Sequence, residues 1–533
     1  MANLKGLFKD TAIYGLSSIV GRFLNYLLVP LYTYYMPKDS GDYGISTNVY
    51  AYTALILVFL TFGMETTLFR FANEEQPGNS GEPGNSGLSG KPGNSGLSGL
   101  SGNSGNSGKP GNSGVPAPVT SVAPGRSWPD RVFSTAFATV GTLTVIFVAL
   151  LFGFITPISQ ALGYADHPDY LLMMGVVVAL DALQALPFSY LRFQKRPIRF
   201  ASLKLLFIIL SIGLNVIYFV VLGKTSVYYV FLINLLCTAI ITLFFVPDLI
   251  RINWCFDASL LRRMLRYSWP ILILGIAGIL NQVADKIVFP LVYPDKALAN
   301  VELGVYGSCV KIAMIMAMIT QAFRYAYEPI VFAKSKDTDK TEYYAAAMKY
   351  FLIFTLLAYL CVVGWMPLLQ YIIGADYREG LRVVPIVMAA EIMMGVYFNL
   401  SFWYKLIDKT IYGAWFSIIG CAVLFAVNIL FIPKYGYMAC AWGGVAGYGT
   451  AMVLSYVVGQ RKNPIPYDLR GMAFYTGIAI VVFLLMNQAI ALLPTWAALA
   501  TNTLLIMLFL AIILRKSGKF RNSRNSQPPT NNQ

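Results

Sequence analysis

Apolar runs of about 20 residues follow one another along this chain, and the gaps between them alternate between basic and nearly uncharged. Thirty of the forty Lys and Arg residues lie in every second gap, counting both ends; six lie in the intervening gaps, and Arg22, Lys286, Lys311 and Arg324 lie within apolar runs. A helix of that length crosses roughly 30 Å of hydrocarbon. The runs are continuous rather than alternating, and lipid demands an internally satisfied backbone, which excludes strands. Short loops rich in Lys and Arg stay cytoplasmic. The alternation therefore predicts an all-α polytopic membrane protein with an even number of spans, fourteen, and both termini in the cytoplasm.

The composition agrees, with 57% hydrophobic and only 12% charged residues. The net charge of +15 is spread over the basic gaps, where topology and attraction to anionic lipid account for it, so no nucleic-acid partner is expected. Six cysteines stand singly, without the spacing of a disulfide framework or a metal site. The first apolar run is long and lacks a small-residue cleavage site, so it reads as a retained span rather than a signal peptide.

The predicted spans cover 11–35, 43–69, 132–157, 169–190, 201–222, 227–248, 268–292, 304–330, 346–373, 382–404, 411–432, 437–459, 471–488 and 492–514. Residues 1–250 form an N-terminal lobe of spans one to six, 251–460 a C-terminal lobe of spans seven to twelve, and 461–515 the last two spans. A basic tail, 516–533, is expected to be disordered. An insert at about 74–128 interrupts the first lobe, with glycine at every third position from Gly78 to Gly114. That is the collagen period, but the repeat holds only Pro83, Pro92, Pro110 and Pro116, so a flexible cytoplasmic linker is expected. The outward gaps are short. The gap at 158–168 carries Asp166 and the sole histidine, His167, leaving no extracytoplasmic domain for soluble-type catalysis.

The chain also repeats itself. Residues 14–34 and 274–294 share punctuation, Gly15 falling on Gly275, Pro30 on Pro290 and Leu31 on Leu291. Shortly after, Gly-Asp-Tyr-Gly (Gly41 to Gly44) answers Gly-Val-Tyr-Gly (Gly304 to Gly307). Two copies separated by six spans in one orientation are the parallel repeat of an alternating-access transporter, with substrate between the halves.

Ionisable groups inside spans cost roughly 2.5–3.5 kcal/mol each on the insertion scale, so each is a functional candidate. Arg22 and Asp181 lie near mid-depth and are a candidate pair, as are Asp285 and Lys311. Arg324 and Glu328 share one helix face. Lys286 follows Asp285 and is expected to point elsewhere; Glu391 has no evident partner, and Glu65 lies near the cytoplasmic end of span two. Arg22, Lys286, Lys311 and Arg324 together match or exceed the well-placed anions. A cavity with spare cations suits an anionic substrate such as a phosphate or pyrophosphate, Arg offering a fork and Lys a point charge. Glu65, Asp181, Asp285, Glu328 and Glu391 are candidate coupling or ion-pair carboxylates.

Further motifs bear on family. They are Leu-Arg-Tyr-Ser-Trp-Pro (265–270), Ala-Asp-Lys (284–286), 304–313 with Lys311, Gln-Ala-Phe-Arg-Tyr-Ala-Tyr-Glu-Pro (321–329), Asp-Lys-Thr (408–410) and Ile-Pro-Lys-Tyr-Gly-Tyr-Met-Ala-Cys-Ala-Trp (432–442). From span one to about span twelve the chain resembles the polysaccharide and O-antigen flippases of the multidrug/oligosaccharidyl-lipid/polysaccharide exporter superfamily. The resemblance implies two six-helix lobes around a central cavity, plus two C-terminal helices. It also implies transport of an undecaprenyl-pyrophosphate-linked oligosaccharide across the bacterial cytoplasmic membrane for surface polysaccharide such as lipopolysaccharide. Its partners would be that lipid, the surrounding membrane lipids, and H+ or Na+ as coupling ion. Arg22 matches a cavity arginine of the related lipid II flippases. Lys286 stands where Arg is commoner, and the glycine-rich insert is no family feature.

No cofactor, metal or enzymatic activity is expected, and no Gly-x-x-x-x-Gly-Lys-[Ser/Thr] motif is present to bind ATP. The alternative function is an ion-coupled multidrug antiporter of the same superfamily, whose cavity would present unpaired carboxylates.

Overall fold

The computed structural model describes residues 28–73, 127–333, 340–407 and 409–525, and among them the regular elements are all helices, joined by short connections. The glycine-rich insert from 74 to 126, Arg22 with most of the first span, and residues 526–533 lie outside the described residues. So does the side chain of Glu328.

Among the described residues, twelve helices are long and apolar enough to cross a membrane. Span one appears only as its last turns, residues 28–35. The helix Tyr437–Lys462, predicted as span twelve, is long enough, but its five glycines and several tyrosines dilute its hydropathy. Those glycines serve packing instead. A Cβ on Gly447 would lie 2.8 Å from the carbonyl oxygen of Gly420 on the preceding helix, Ile411–Tyr435. Close approach of small residues is how helices associate where lipid competes for apolar contact.

Boundaries differ from expectation at several ends: span seven begins at Ala258 rather than 268, and span nine runs Lys340–Gly364 rather than 346–373. The gap between spans seven and eight shrinks to 293–295, because span eight begins at Lys296 rather than 304. The outward gap after span three holds a short helix, Ile155–Leu162. The last helix, Thr495–Asn525, runs past the expected end at 514, so residues 516–525 are helical rather than disordered.

We call outer the end that the charge pattern assigns outside, and inner the other. At the outer end one apolar core runs through both halves, joining Tyr43 and Val49 of span two (Asp42–Ala72) to Leu303 and Val305 of span eight (Lys296–Ala333) and to Tyr377. At the inner end the cores separate. One gathers Met64, Phe71, Phe133 and Leu186 of spans two, three and four; a second, also in the first half, gathers Phe188, Phe200 and Phe245 of spans four, five and six; a third gathers Tyr327, Phe402, Trp403 and Phe416 of spans eight, ten and eleven with their connections. Span seven (Ala258–Val292) touches both halves. Its inner part puts Leu260 and Met264 into the first of these cores. Its outer part carries Asn281, which donates to the carbonyl of Ser417 on span eleven at 3.2 Å and accepts, through its own carbonyl, from Tyr448 of span twelve at 2.7 Å.

Candidate functional site

The duplicated motif makes the floor of the joined end. Gly44 lies against Asn300 and Gly304, so close that a Cβ on Gly44 would overlap the Asn300 carbonyl oxygen. A Cβ on Gly307 would meet Thr47 Oγ1 at 2.6 Å. Residue 44 therefore opposes 304 and residue 47 opposes 307, one helical turn away from strict equivalence of the two copies. Around this seam Lys38 pairs with Glu379 at 2.7 Å, Thr33 Oγ1 accepts from Gly374 N at 3.0 Å, and Tyr377 donates to the Met36 carbonyl at 3.3 Å. The Lys38 ammonium is held above its ordinary value by the Glu379 carboxylate.

Above the seam lies a cavity of about 460 Å³, within the range of small-molecule sites. Its wall comes from both halves: Tyr32 of span one, Tyr43 and Tyr50 of span two, Asn215 and Asn234 of spans five and six, and the charged groups of spans seven, eight and ten.

Of the residues singled out in sequence, Asp285, Lys286, Lys311 and Glu391 meet on this wall. The expected Asp285–Lys311 pair does not form. Asp285 takes Lys286 instead, Nζ to Oδ1 at 3.0 Å, and accepts from Tyr306 at 2.6 Å. Adjacent side chains diverge around a helix, but the lysine stem is long enough to fold back, and Nζ also reaches the Gln282 carbonyl at 3.1 Å. Lys286 is therefore committed within its own helix, contrary to the expectation that it points elsewhere. Lys311 donates to no acceptor among the described residues and shares the cavity with the like charge of Lys286. Glu391 hydrogen-bonds to no described group.

The other candidates stand apart. Arg324 is not on the wall; its guanidinium lies over Phe398 at 5.1 Å. Glu65 pairs with Arg192 at 3.3 Å and accepts from Ser189 at 3.1 Å, near the inner end of the first half. Asp181 has Lys204 as its charged neighbour, and the Lys204 ammonium sits 4.0 Å from the Phe188 ring. Lys204 escapes a sequence reading because it lies in the second turn of the helix Pro197–Val216 and counts with the basic gap before it. The wall thus carries two cations and two anions among the described residues. The expected cationic surplus rested on Arg22, outside the described residues, and on Arg324, which lies elsewhere.

Asn48 is a joint that the sequence did not announce. Pro290 has no N–H, which leaves the carbonyl four residues earlier, that of Lys286, without its helical partner. Asn48 Nδ2 donates to that carbonyl at 2.7 Å from the other half, and Asn48 Oδ1 accepts from Tyr164 at 2.7 Å.

Residues 122–382, just under half the chain, match the family model described as polysaccharide biosynthesis protein. No curated protein matches the sequence. Among solved structures the chain is similar to lipid II flippase MurJ in an inward closed conformation, at 13% identity and a TM-score of 0.68, over 94% of this chain and 99% of that one. It is similar to MATE in complex with MaD3S at 13% identity and a TM-score of 0.53, over 85% of this chain and 95% of that one. A third likeness is to the MATE multidrug transporter DinF-BH in complex with R6G, at 14% identity and 0.54, over 86% and 96%. At such identities the likeness establishes the fold, that of multi-pass membrane flippases and exporters.

Proposed function

We propose, for a chain that belongs with the polysaccharide biosynthesis proteins on the fold shared by MurJ and MATE, that it moves a polyprenyl-pyrophosphate-linked oligosaccharide across the bacterial cytoplasmic membrane for a surface polysaccharide such as O-antigen. The observation that carries this reading is Lys311, an ammonium on the cavity wall with no acceptor among the described residues. Such a group is stabilised by an anionic ligand, and a phosphate oxygen forms a charge-assisted hydrogen bond with it. Arg22, on span one, would add a fork for the second phosphate. The protein is a transporter rather than an enzyme, with both termini cytoplasmic.

Transport proceeds by alternating access. The halves are joined at the outer end and hold separate inner cores, so substrate enters from the cytoplasm. The seam at Gly44 and Gly304 then parts while the polyprenyl tail stays in lipid. Protonation of Glu391, or entry of H+ or Na+ beside it, supplies the coupling.

Glu391 also favours the second reading, export of a cation, since an unpaired carboxylate selects positive charge. Purified protein in liposomes separates the two. A fluorescent polyprenyl-pyrophosphate oligosaccharide is placed in one leaflet and followed into the other, with and without a cationic dye. Lipid movement indifferent to the dye supports the flippase; dye export without lipid movement overturns it.

A further inference from the structure

The cavity wall divides by chemistry. Among the described residues its charged groups, Asp285, Lys286, Lys311 and Glu391, stand on spans seven, eight and ten, and spans one, two, five and six contribute neutral residues. Two Tyr–Asn pairs bridge helices on that neutral face, and they run in opposite directions. Tyr32 donates its hydroxyl hydrogen to Asn215 Oδ1 at 2.9 Å, and Asn215 Nδ2 donates to the Ser211 carbonyl at 2.7 Å. That pair is spent inside the protein.

In the second pair Asn234 Nδ2 donates to the Tyr50 hydroxyl oxygen at 3.0 Å, and Asn234 Oδ1 accepts from Thr238 at 3.4 Å, which orients the amide. Tyr50 therefore receives, and its own O–H hydrogen meets no acceptor among the described residues. Tyr306 and Tyr448, on the same wall, spend theirs on Asp285 and on the Asn281 carbonyl. The Tyr50 ring is set by an edge contact with Phe231 at 6.2 Å, and the side chain is a third exposed, on the cavity wall. A fixed hydroxyl donor without an acceptor in a partly desolvated cavity is complemented by a ligand that brings one.

We infer that Tyr50, positioned by Asn234, donates to a sugar ring of the transported lipid, so that the neutral face takes the saccharide while the Lys311 face takes the phosphates. This rests on the flippase reading above. A sugar fits because it is uncharged, carries hydroxyl and ether oxygens as acceptors, and has a C–H face that packs on an aromatic ring. A phosphate placed at the same point would give up the ammonium across the cavity.

The test is a ratio of affinities. Polyprenyl pyrophosphate and polyprenyl pyrophosphate bearing one N-acetylhexosamine are each titrated against the detergent-purified full chain, read by intrinsic fluorescence. Wild type should prefer the sugar-bearing lipid. Tyr50→Phe, which keeps the ring and the fold, should lower that preference about fivefold while leaving affinity for the bare lipid unchanged. Tyr32→Phe, whose hydroxyl is already committed, should leave the preference intact. Equal binding of the two lipids by wild type, or equal losses for both in Tyr50→Phe, overturns the sugar assignment alone. Failure of wild type to bind either lipid overturns the flippase reading and the assignment with it.

Discussion

Lys286 and Lys311 share a wall but differ in commitment. Lys286 neutralises Asp285, whereas Lys311 has its charge to offer. Lys311→Ala should therefore weaken binding of a polyprenyl-pyrophosphate lipid by about 10- to 100-fold, the worth of one charge-assisted hydrogen bond at roughly 1.5–3 kcal/mol. Lys286→Ala should act mainly on stability, because it leaves the largely buried Asp285 carboxylate with Tyr306 but no cation. Titration by fluorescence and thermal melts of both variants check the contrast; equal loss of affinity in the two would contradict it. The charged members of this site were legible in sequence because a lysine or carboxylate inside an apolar run is conspicuous. Which of them pair was not legible, since a flexible lysine stem chooses among neighbours that only packing defines. Tyr50, Asn234 and Asn48 gave no such signal, being neutral residues common in any span. The link from Asn48 to Lys286 follows from Pro290 by counting back four residues, but only once spans two and seven are known to touch.

Helices meet here through what they lack as much as through what they carry. The pattern Gly-x-Tyr-Gly was visible twice in the sequence, and the repeat pointed to two halves, but not to the two copies packing on each other. Their offset by one turn is a property of the assembled pair. Gly44→Ala inserts a methyl group where the Asn300 carbonyl stands. It should cost about 1–3 kcal/mol and loosen the outer seam. Cys309, fully buried and donating to the Tyr377 carbonyl at 3.4 Å, reports on this. In a chain keeping that cysteine alone, maleimide labelling should be slow when Gly44 is intact and fast in Gly44→Ala. At the other end of the molecule Asp257 caps span seven, accepting from Ser259 and Leu260, and pairs with Arg131 at 2.6 Å. The Ser259 hydroxyl, the Leu260 N–H and the Arg131 guanidinium hold its carboxyl below the ordinary value. A lowered carboxylate contributes stability above the unfolded value, near pH 4, and loses it as pH falls through the folded one. Asp257→Asn should thus lower the melting temperature at pH 7, by a loss of roughly 1 kcal/mol, and the gap from wild type should close in acid.

At the scale of the molecule, one shared core outside and separate cores inside describe a body that opens inward. If the halves must part at the seam, tethering them there stops transport. The Lys38–Glu379 pair marks the place, and as a rim ion pair it is itself worth only about 0–1 kcal/mol. Lys38→Cys with Glu379→Cys, joined by a short bis-thiosulfonate linker, should abolish lipid translocation in liposomes, and reduction should restore it. Undiminished transport by the tethered protein would show that the seam stays shut throughout. The helical, many-span architecture was readable from the spacing of apolar runs and charges alone. The separation of inner cores was not, because it depends on contacts between residues more than a hundred positions apart.

The Asn48 joint separates the duties of side chain and main chain at Lys286. Its acceptor is a main-chain carbonyl laid bare by Pro290, so the contact between the halves is indifferent to which side chain stands at 286. An exchange of side chain at 286 therefore changes what stands beside Asp285 and leaves the mechanical link in place. One residue thus serves an ion pair through its side chain and the joint between the halves through its main chain.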